Sequence, residues 1–383
     1  MNSIPISKCR VCGHKFFEEP LLRYENMPKA AQCMPDIASL KDDKGVDLDV
    51  CQCSGCGLVQ LSRAPVPYYR EVIRASAVSE EMKNFRQKQF RDFVQNYSLQ
   101  NKKIIEIGCG RGEFLSLMQE FAVQSFGLEF SAQSVSDCKK MGLKVSAGFI
   151  DKADYNINNG PFDAFFILNF LEHLPEPNET LRGIYNNLTE GGIGLIEVPN
   201  FDMILQKKLF SEFIGDHLFY FTKETLGATL WFNGFEVLEC EVQWYDYIIS
   251  AVVRKRKKTD LSDFHNYQAK LKNEIEKYLL NFKNKKVAVW GASHQALAIL
   301  SLLDLSGRIE YVIDSAKFKQ GKFTPATHIP IVAPEKLNSD PVDAIIVMAA
   351  GYSDEVANMI KQKFSKNINI SILRDFGLEI IKS

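Results

Sequence analysis

Two cysteine pairs, Cys9 with Cys12 and Cys53 with Cys56, each show C-x-x-C spacing in turn-prone contexts, CRVCGH and CSGCGL. Thiolates so spaced are ligands for a tetrahedral zinc ion, and glycine lets backbone amides fold over the sulfurs. A closed four-sulfur set leaves no open position for substrate, so the metal is expected to be structural. Cys51 could replace Cys53, but only Cys53 has the two-residue spacing to Cys56; Cys33, Cys109, Cys138 and Cys240 are scattered singly. Asp216 and His217 are adjacent in FIGDHLFYFT, and His173 stands in LEHL. Histidine titrates close to neutral pH, which suits a general base. His217 is the leading candidate for that base. Asp216 could orient a hydroxyl or tune the imidazole, and His173 follows an expected strand whose carboxyl end is where ligands bind. Phe213, Phe219, Tyr220 and Phe221 surround His217 in sequence, which leaves open a buried, hydrogen-bonded core histidine.

The stretch IIEIGCGRGEFL ends an apolar run in Gly108, Gly110 and Gly112. A dinucleotide loop reads G-x-G-x-x-G, whereas this one reads E-x-G-x-G-x-G from Glu106. A carboxylate at Glu106 suits a ligand bearing an α-ammonium group and suits a pyrophosphate poorly. Glu129, at the end of the next expected strand in FGLEFS, is placed to accept hydrogen bonds from both hydroxyls of a ribose, and Ser131 follows at a helix start. These positions favour S-adenosylmethionine over a dinucleotide. Phe130 and Asn169 complete the expected cofactor-contacting set. Asn169, Asn200 and Asp202 could line an acceptor pocket or serve as turn and cap residues. Tyr68 and Tyr69 could close over an acceptor or pack against the sheet.

Such residues need a scaffold, and the sequence rhythm supplies one. KIIEIGCG, SFGLEFS, FDAFFILNFLEH and GGIGLIEVPN are short apolar strands alternating with helical segments, which describes an α/β fold with a parallel, doubly wound sheet. Ahead of them, Met82, Phe85, Phe90 and Phe93 recur at near-helical intervals in EVIRASAVSEEMKNFRQKQFRDFVQNY, an amphipathic helix. A second strand-loop-helix begins at KVAVWGASHQALAILSLL and continues through YVIDSAKFKQGKF and VDAIIVMAA. The expected organisation is an N-terminal zinc-binding module over 1–75, a central doubly wound domain over 76–255, a linker helix over 256–282 and a Rossmann-like domain over 283–383. The tract RKRKK, from Arg254, is expected to be a solvated linker.

Charge and composition narrow the partners. A formal net charge of −1, with 46% hydrophobic and 24% charged residues, offers no footprint for nucleic acid or an anionic membrane. No apolar run is long enough to span a bilayer. MNSIPISKCR lacks the basic start and apolar core of a signal peptide, so the expected location is the cytoplasm.

The central segment resembles a class I S-adenosylmethionine-dependent methyltransferase through IIEIGCGRG, Glu129 and FDAFFILNFLEHLPEP. More narrowly, the whole chain resembles the zinc-containing sugar C-methyltransferase family. Its N-terminal module is matched by CSGCGLVQL, and its terminal domain by WGASHQALAIL and VIDSAKFKQGKFTPATHIPIVAP. The resemblance implies methylation of a nucleotide-linked sugar, with a terminal domain that helps hold the nucleotide. Gly291, His294 and Lys319 are the residues to examine there. Two motifs depart from the family: its Tyr-His-Glu-His stretch reads Ile214, Gly215, Asp216, His217, and its Pro-Gly-Thr reads Pro325, Ala326, Thr327. Methylation of carbon, oxygen or nitrogen therefore stays open. So does the alternative of a non-catalytic zinc- and nucleotide-binding scaffold.

Overall fold

A computed structural model describes residues 6–32, 34–71, 78–364 and 367–381 of the protein. Cys33 and the segment 72–77, where the first amphipathic helix was expected to begin, lie outside them. The chain divides into two compact units, Met1–Lys257 and Lys258–Ser383.

The first unit carries strands β1 (Leu22–Met27), β2 (Val46–Gln52), β3 (Val59–Leu61), β4 (Lys103–Ile107), β5 (Gln124–Glu129) and β6 (Val145–Ala147). After them come β7 (Phe162–Leu168), β8 (Leu188–Pro199), β9 (Phe219–Tyr220), β10 (Phe235–Gln243) and β11 (Ile248–Lys255). Seven of these form one sheet in the order β10-β11-β8-β7-β4-β5-β6, in which β11 alone runs against both neighbours. A parallel sheet must be covered on both faces, which explains why β7, after Asp163, runs on without a break through the buried apolar residues AFFIL. Alternate residues of β7 enter opposite cores: Phe165 and Ile167 pack on one side, Ala164, Phe166 and Leu168 on the other. The chain leaves β4 for β5 on one side and later returns to β7 on the other, so the carboxyl ends of β4 and β7 flank a topological switch point.

The helix Glu80–Asn96 covers one face of this sheet. Ser79 caps it by accepting from the Met82 amide, Glu80 and Glu81 sit in its first turn, and Phe90 and Phe93 are buried. The N-terminal strands pair in the order β1-β2-β3-β9. Their last member lies just past His217, with Val59 opposite Tyr220 and Gln60 opposite Phe219. Cys9, Val11, Cys53 and Leu58 share one core with Ile105, Phe165 and Leu218. The cysteine-bearing segment is thus built into the first unit through pairing and packing.

The second unit orders its strands β14-β13-β12-β15-β16-β17, with β12 (Val287–Trp290), β13 (Tyr311–Ile313), β14 (Ile331–Val332), β15 (Ala344–Val347), β16 (Asn369–Arg374) and β17 (Gly377–Ile381). All pairings but β16 with β17 are parallel.

Two expectations change here. The helix Ser262–Leu280, anticipated as a linker, buries Leu271, Ile275, Tyr278 and Leu279 in the core of the second unit. Its apolar stripe needs a partner, and the second sheet provides one. Most of the RKRKK tract is not a solvated linker either. Arg254 pairs with Glu236 at 3.0 Å, and buried Lys255 reaches Glu190 at 3.1 Å and the Leu188 carbonyl at 2.9 Å. Arg256 stacks over Trp231 at 3.8 Å. Strand alternation sends neighbouring cations to different faces, where each finds its own partner.

Candidate active site

The loop after β4 turns through Gly112, which has φ +82 and starts the helix Glu113–Met118. A Cβ there would fall 2.3 Å from Leu143 Cδ1, so glycine answers both the left-handed backbone and the lack of space. Glu129, at the end of β5 and 1% exposed, binds across the loop. Its Oε2 accepts from the Gly110 amide at 2.9 Å and its Oε1 from the Ser131 amide at 2.8 Å. Burial raises its pKa above the usual carboxylate range, against the pull of those amides. Among the described residues no cation forms an ion pair with it, and each oxygen keeps acceptor capacity for a hydroxyl. Glu106 is buried within β4, and Ser131 caps the following helix through the Ser134 amide. Phe130 is 42% exposed and meets Phe149 edge-on at 6.1 Å. Gly108, Phe130, Phe149 and Phe170 line a narrow cleft with Arg70, whose guanidinium lies 5.3–5.5 Å from the Phe130, Phe149 and Tyr69 rings.

A larger cavity of about 660 Å³ opens beside it, lined by Tyr68, Arg86, Asn169, Glu172, His173 and His217 among others. Asn169 follows β7 in a left-handed conformation, φ +48, its amide held by the Glu197 carbonyl at 2.9 Å; its buried Oδ1 has no protein partner. His173 Nδ1 donates to the Asp216 carbonyl at 2.8 Å, since a carbonyl can only accept, which leaves Nε2 as the ring's lone-pair nitrogen. The His173 and His217 rings meet edge-on at 4.8 Å, and burial keeps both imidazoles neutral, His217 down to about 3. Glu172 is wholly buried, which pushes its carboxyl up to about 8.

The adjacent acid does something other than tune its neighbour. Asp216 Oδ1 accepts from Tyr68 OH at 2.6 Å and Oδ2 from the Ala31 amide at 2.9 Å, while the Gln32 amide donates to Tyr68 OH at 2.9 Å. Both oxygens of Asp216 are therefore engaged with the N-terminal segment, and the carboxylate pins residues 31–32 and Tyr68 at the cavity wall. Tyr69 packs its ring on Phe149. Asn200 caps the helix Phe201–Lys207 and donates to the Asp246 carbonyl, so it serves as a cap; neither it nor Asp202 lines the cavity.

The sulfurs of Cys9, Cys12, Cys53 and Cys56 lie within 4.8 Å of one another. Cys9 to Cys56 is 3.7 Å and Cys12 to Cys53 is 3.3 Å, close to the edge of about 3.8 Å that four zinc–sulfur bonds of about 2.3 Å would give a tetrahedron. The amides of Val11, Gly55 and Cys56 and the side chain of Gln60 point N–H groups at Cys9 or Cys53. Donors so arranged favour thiolates. Cys51 turns away, its Sγ 3.9 Å from the Asp49 carbonyl.

Arg86 and Glu197 escaped the sequence reading. They form a wholly buried ion pair at 2.5 Å beside the cavity, with Arg86 Nε and Nη2 lacking protein partners. In KNFRQKQF nothing distinguishes this arginine from its solvated neighbours, because its partner is more than 100 residues away. In the second unit Gly291 follows β12 with φ +112 and Lys319 binds Asp314 at 2.9 Å, while His294 is exposed at its helix start.

Residues 82–240 match a family model described as a methyltransferase domain, and residues 251–371 match one described as a C-methyltransferase C-terminal domain. C-methyltransferase NovU of Streptomyces niveus is 23% identical across 94% of this chain and 93% of its own length. A ubiquinone biosynthesis O-methyltransferase of Idiomarina loihiensis is 29% identical over 26% of this chain and 44% of its own. A solved S-adenosylmethionine-dependent methyltransferase from Clostridium acetobutylicum superposes with a TM-score of 0.38 at 13% identity, over 45% of this chain and 92% of that one. With its sheet order, glycine loop and both domain models in register, the chain belongs to the class I S-adenosylmethionine-dependent methyltransferases.

Proposed function

We propose that the enzyme methylates a carbon next to a carbonyl on a nucleotide-linked sugar or related carbohydrate intermediate. The observation that carries this reading is the neutral, half-buried His217 in a cavity adjoining the glycine loop. The C-terminal model's description and the full-length likeness to NovU support it. Membership of an enzyme family sets the scaffold alternative aside.

When bound, the cofactor supplies a methyl group already activated on a sulfonium. In this reading Glu129 would hold the ribose hydroxyls, and the loop of Gly108, Gly110 and Gly112 would admit the amino-acid end. Glu106 would meet the ammonium, Phe130 would border the purine and Asn169 would line the methyl end. Arg86 offers its unpartnered N–H groups to the carboxylate. His217, neutral at working pH, takes the proton from the acceptor carbon; His173, fixed by the Asp216 carbonyl, keeps the neighbouring wall in place. Asp216 and Tyr68 close the wall opposite. Cys9, Cys12, Cys53 and Cys56 hold a structural zinc ion, which through the pairing of β3 with β9 steadies the segment bearing His217. No helix among the described residues is long and apolar enough to cross a membrane.

The test is the product. With keto-sugar nucleotides in deuterated water, the acceptor carbon should exchange its proton and then gain a methyl group seen as a carbon-bound signal in NMR. A methyl on oxygen or nitrogen, with no exchange, would overturn carbon methylation.

A further inference from the structure

Glu172 has no task in the mechanism above, yet it is the most deeply placed acid in the cavity. It is 1% exposed, its Oε2 has no hydrogen-bond partner in the protein, and its Oε1 stands 3.8 Å from His173 Nε2. The donor atoms of Glu172, His173 and His217 all lie within 4.8 Å of one another. A buried carboxyl without a partner costs stability, so its retention needs a reason. We propose that Glu172 is a positioning residue that acts through His217: its carboxylate orients the imidazole and stabilises the imidazolium formed when the acceptor's proton arrives. The inference rests on the carbon-methylation reading and deepens it.

The step balances simply. The acceptor C–H bond breaks, its proton passes to a ring nitrogen of His217, and the electron pair stays on the acceptor as an enolate. A buried imidazolium alone is costly, whereas one beside a carboxylate is a neutral pair. The resting site has two uncharged groups, a carboxylic acid at Glu172 and a neutral imidazole at His217. The competent form has lost the acid's proton and keeps the neutral base.

Several neighbouring titratable groups have partners of their own, and Arg86, which lines the same cavity, is paired with Glu197. The Asp216 carboxylate is occupied by Tyr68 and the Ala31 amide, and Arg63, which donates to the Lys29 carbonyl at 3.3 Å, feels the Asp216 charge. Tyr247, from the turn between β10 and β11, is shifted upward by burial, then by Glu212 and Glu172, and donates to Glu212 at 3.5 Å. His173 is fixed by the Asp216 carbonyl. Among these, only Glu172 can place a negative charge beside His217 without breaking an existing hydrogen bond.

The consequence is a pH signature. The acid's folded pKa is raised, so its charged form appears as pH climbs through about 8. The kcat of the wild type should rise across that value. In Glu172→Gln the rising limb should vanish, leaving a flat profile about 100-fold lower at its plateau, in keeping with the usual contribution of acid–base groups. Affinity for S-adenosylhomocysteine, measured by calorimetry on the same preparations, should stay within about twofold of wild type. Glu172→Asp, which keeps a carboxylate, should restore a rising limb. A Glu172→Gln enzyme with the wild-type limb would overturn the proposal, as would a flat wild-type profile. Should Glu172→Gln fail to fold, the presence or absence of the limb in Glu172→Asp decides the matter. Carbon methylation is judged separately by the wild-type product, so failure of one reading is not mistaken for failure of the other.

Discussion

Glu129 ends β5 and Asp314 follows β13, and in each unit the acid leaves the strand beside the central one to accept an amide from the loop after that central strand. Glu129 takes Gly110 and Ser131; Asp314 takes Ala292 and Ala316, each at 2.8 Å. The difference is the cation. Lys319 places its ammonium 2.9 Å from Asp314 Oδ2 and 3.0 Å from the Ala292 carbonyl. One winding thus yields two outcomes: an acid whose charge is left for a ligand, suited to a diol, and an acid whose charge is met by a lysine of its own unit. The layout of a nucleotide-binding unit is set by topology, and its use is set by what stands at the acid.

The largest expected effect lies in the first unit. His217→Asn should lower kcat by about 10³-fold, roughly 4 kcal/mol of transition-state stabilisation, with S-adenosylhomocysteine affinity kept within twofold. Steady-state kinetics and calorimetry on one preparation check this, and undiminished turnover would remove the proposed base.

Glycine substitutions sharpen the contrast next. In Gly291→Ala the new Cβ would meet the Met348 carbonyl oxygen at 2.7 Å at φ +112, a backbone clash that should cost about 2–3 kcal/mol. Gly112→Ala strains a left-handed residue against the movable end of Leu143, for about 1–2 kcal/mol. Thermal melts with and without S-adenosylhomocysteine should show Gly112→Ala losing ligand protection and Gly291→Ala losing stability while keeping it. A reversed pattern would break the comparison.

The pKa shifts of the two acids carry opposite signs. Burial raises Glu129 and outweighs the amides at its oxygens, so the carboxylate begins to protonate at pH above its usual 4.5. Ligand affinity should decline on acidification from there, and Glu129→Gln should abolish that dependence. Burial also pushes Asp314 up, but the Ala316 amide, Lys319 and the Ala292 amide prevail and hold it below its usual 3.8. Its stabilising share is present above that value and is lost as pH falls through the folded pKa. The smallest effect expected is Lys319→Met, about 1 kcal/mol of stability for a partly exposed pair, measured by urea denaturation.

The residues legible beforehand share one property: their meaning is local. C-x-x-C spacing, the glycine loop and an acid at a strand end are each read within a dozen residues, and the continuous apolar run AFFIL marks a doubly covered strand. What escaped depends on pairs far apart in the chain. Arg86 needs Glu197, Asp216 needs Tyr68 and Ala31, and β3 needs β9. A charge run such as RKRKK looks solvated until strand alternation sends Lys255 inward. Glu172 stands beside His173 in LEHL, but the missing partner at its buried oxygen became visible only with the fold.

The most direct measurement is calorimetric titration of S-adenosylhomocysteine into wild type, Glu129→Ala and Asp314→Asn. The account predicts one site per chain in wild type, affinity weakened by about 100-fold in Glu129→Ala through loss of two charge-assisted hydrogen bonds, and no change in Asp314→Asn. Undiminished binding in Glu129→Ala with loss in Asp314→Asn, or binding of NAD in place of S-adenosylhomocysteine, would contradict it.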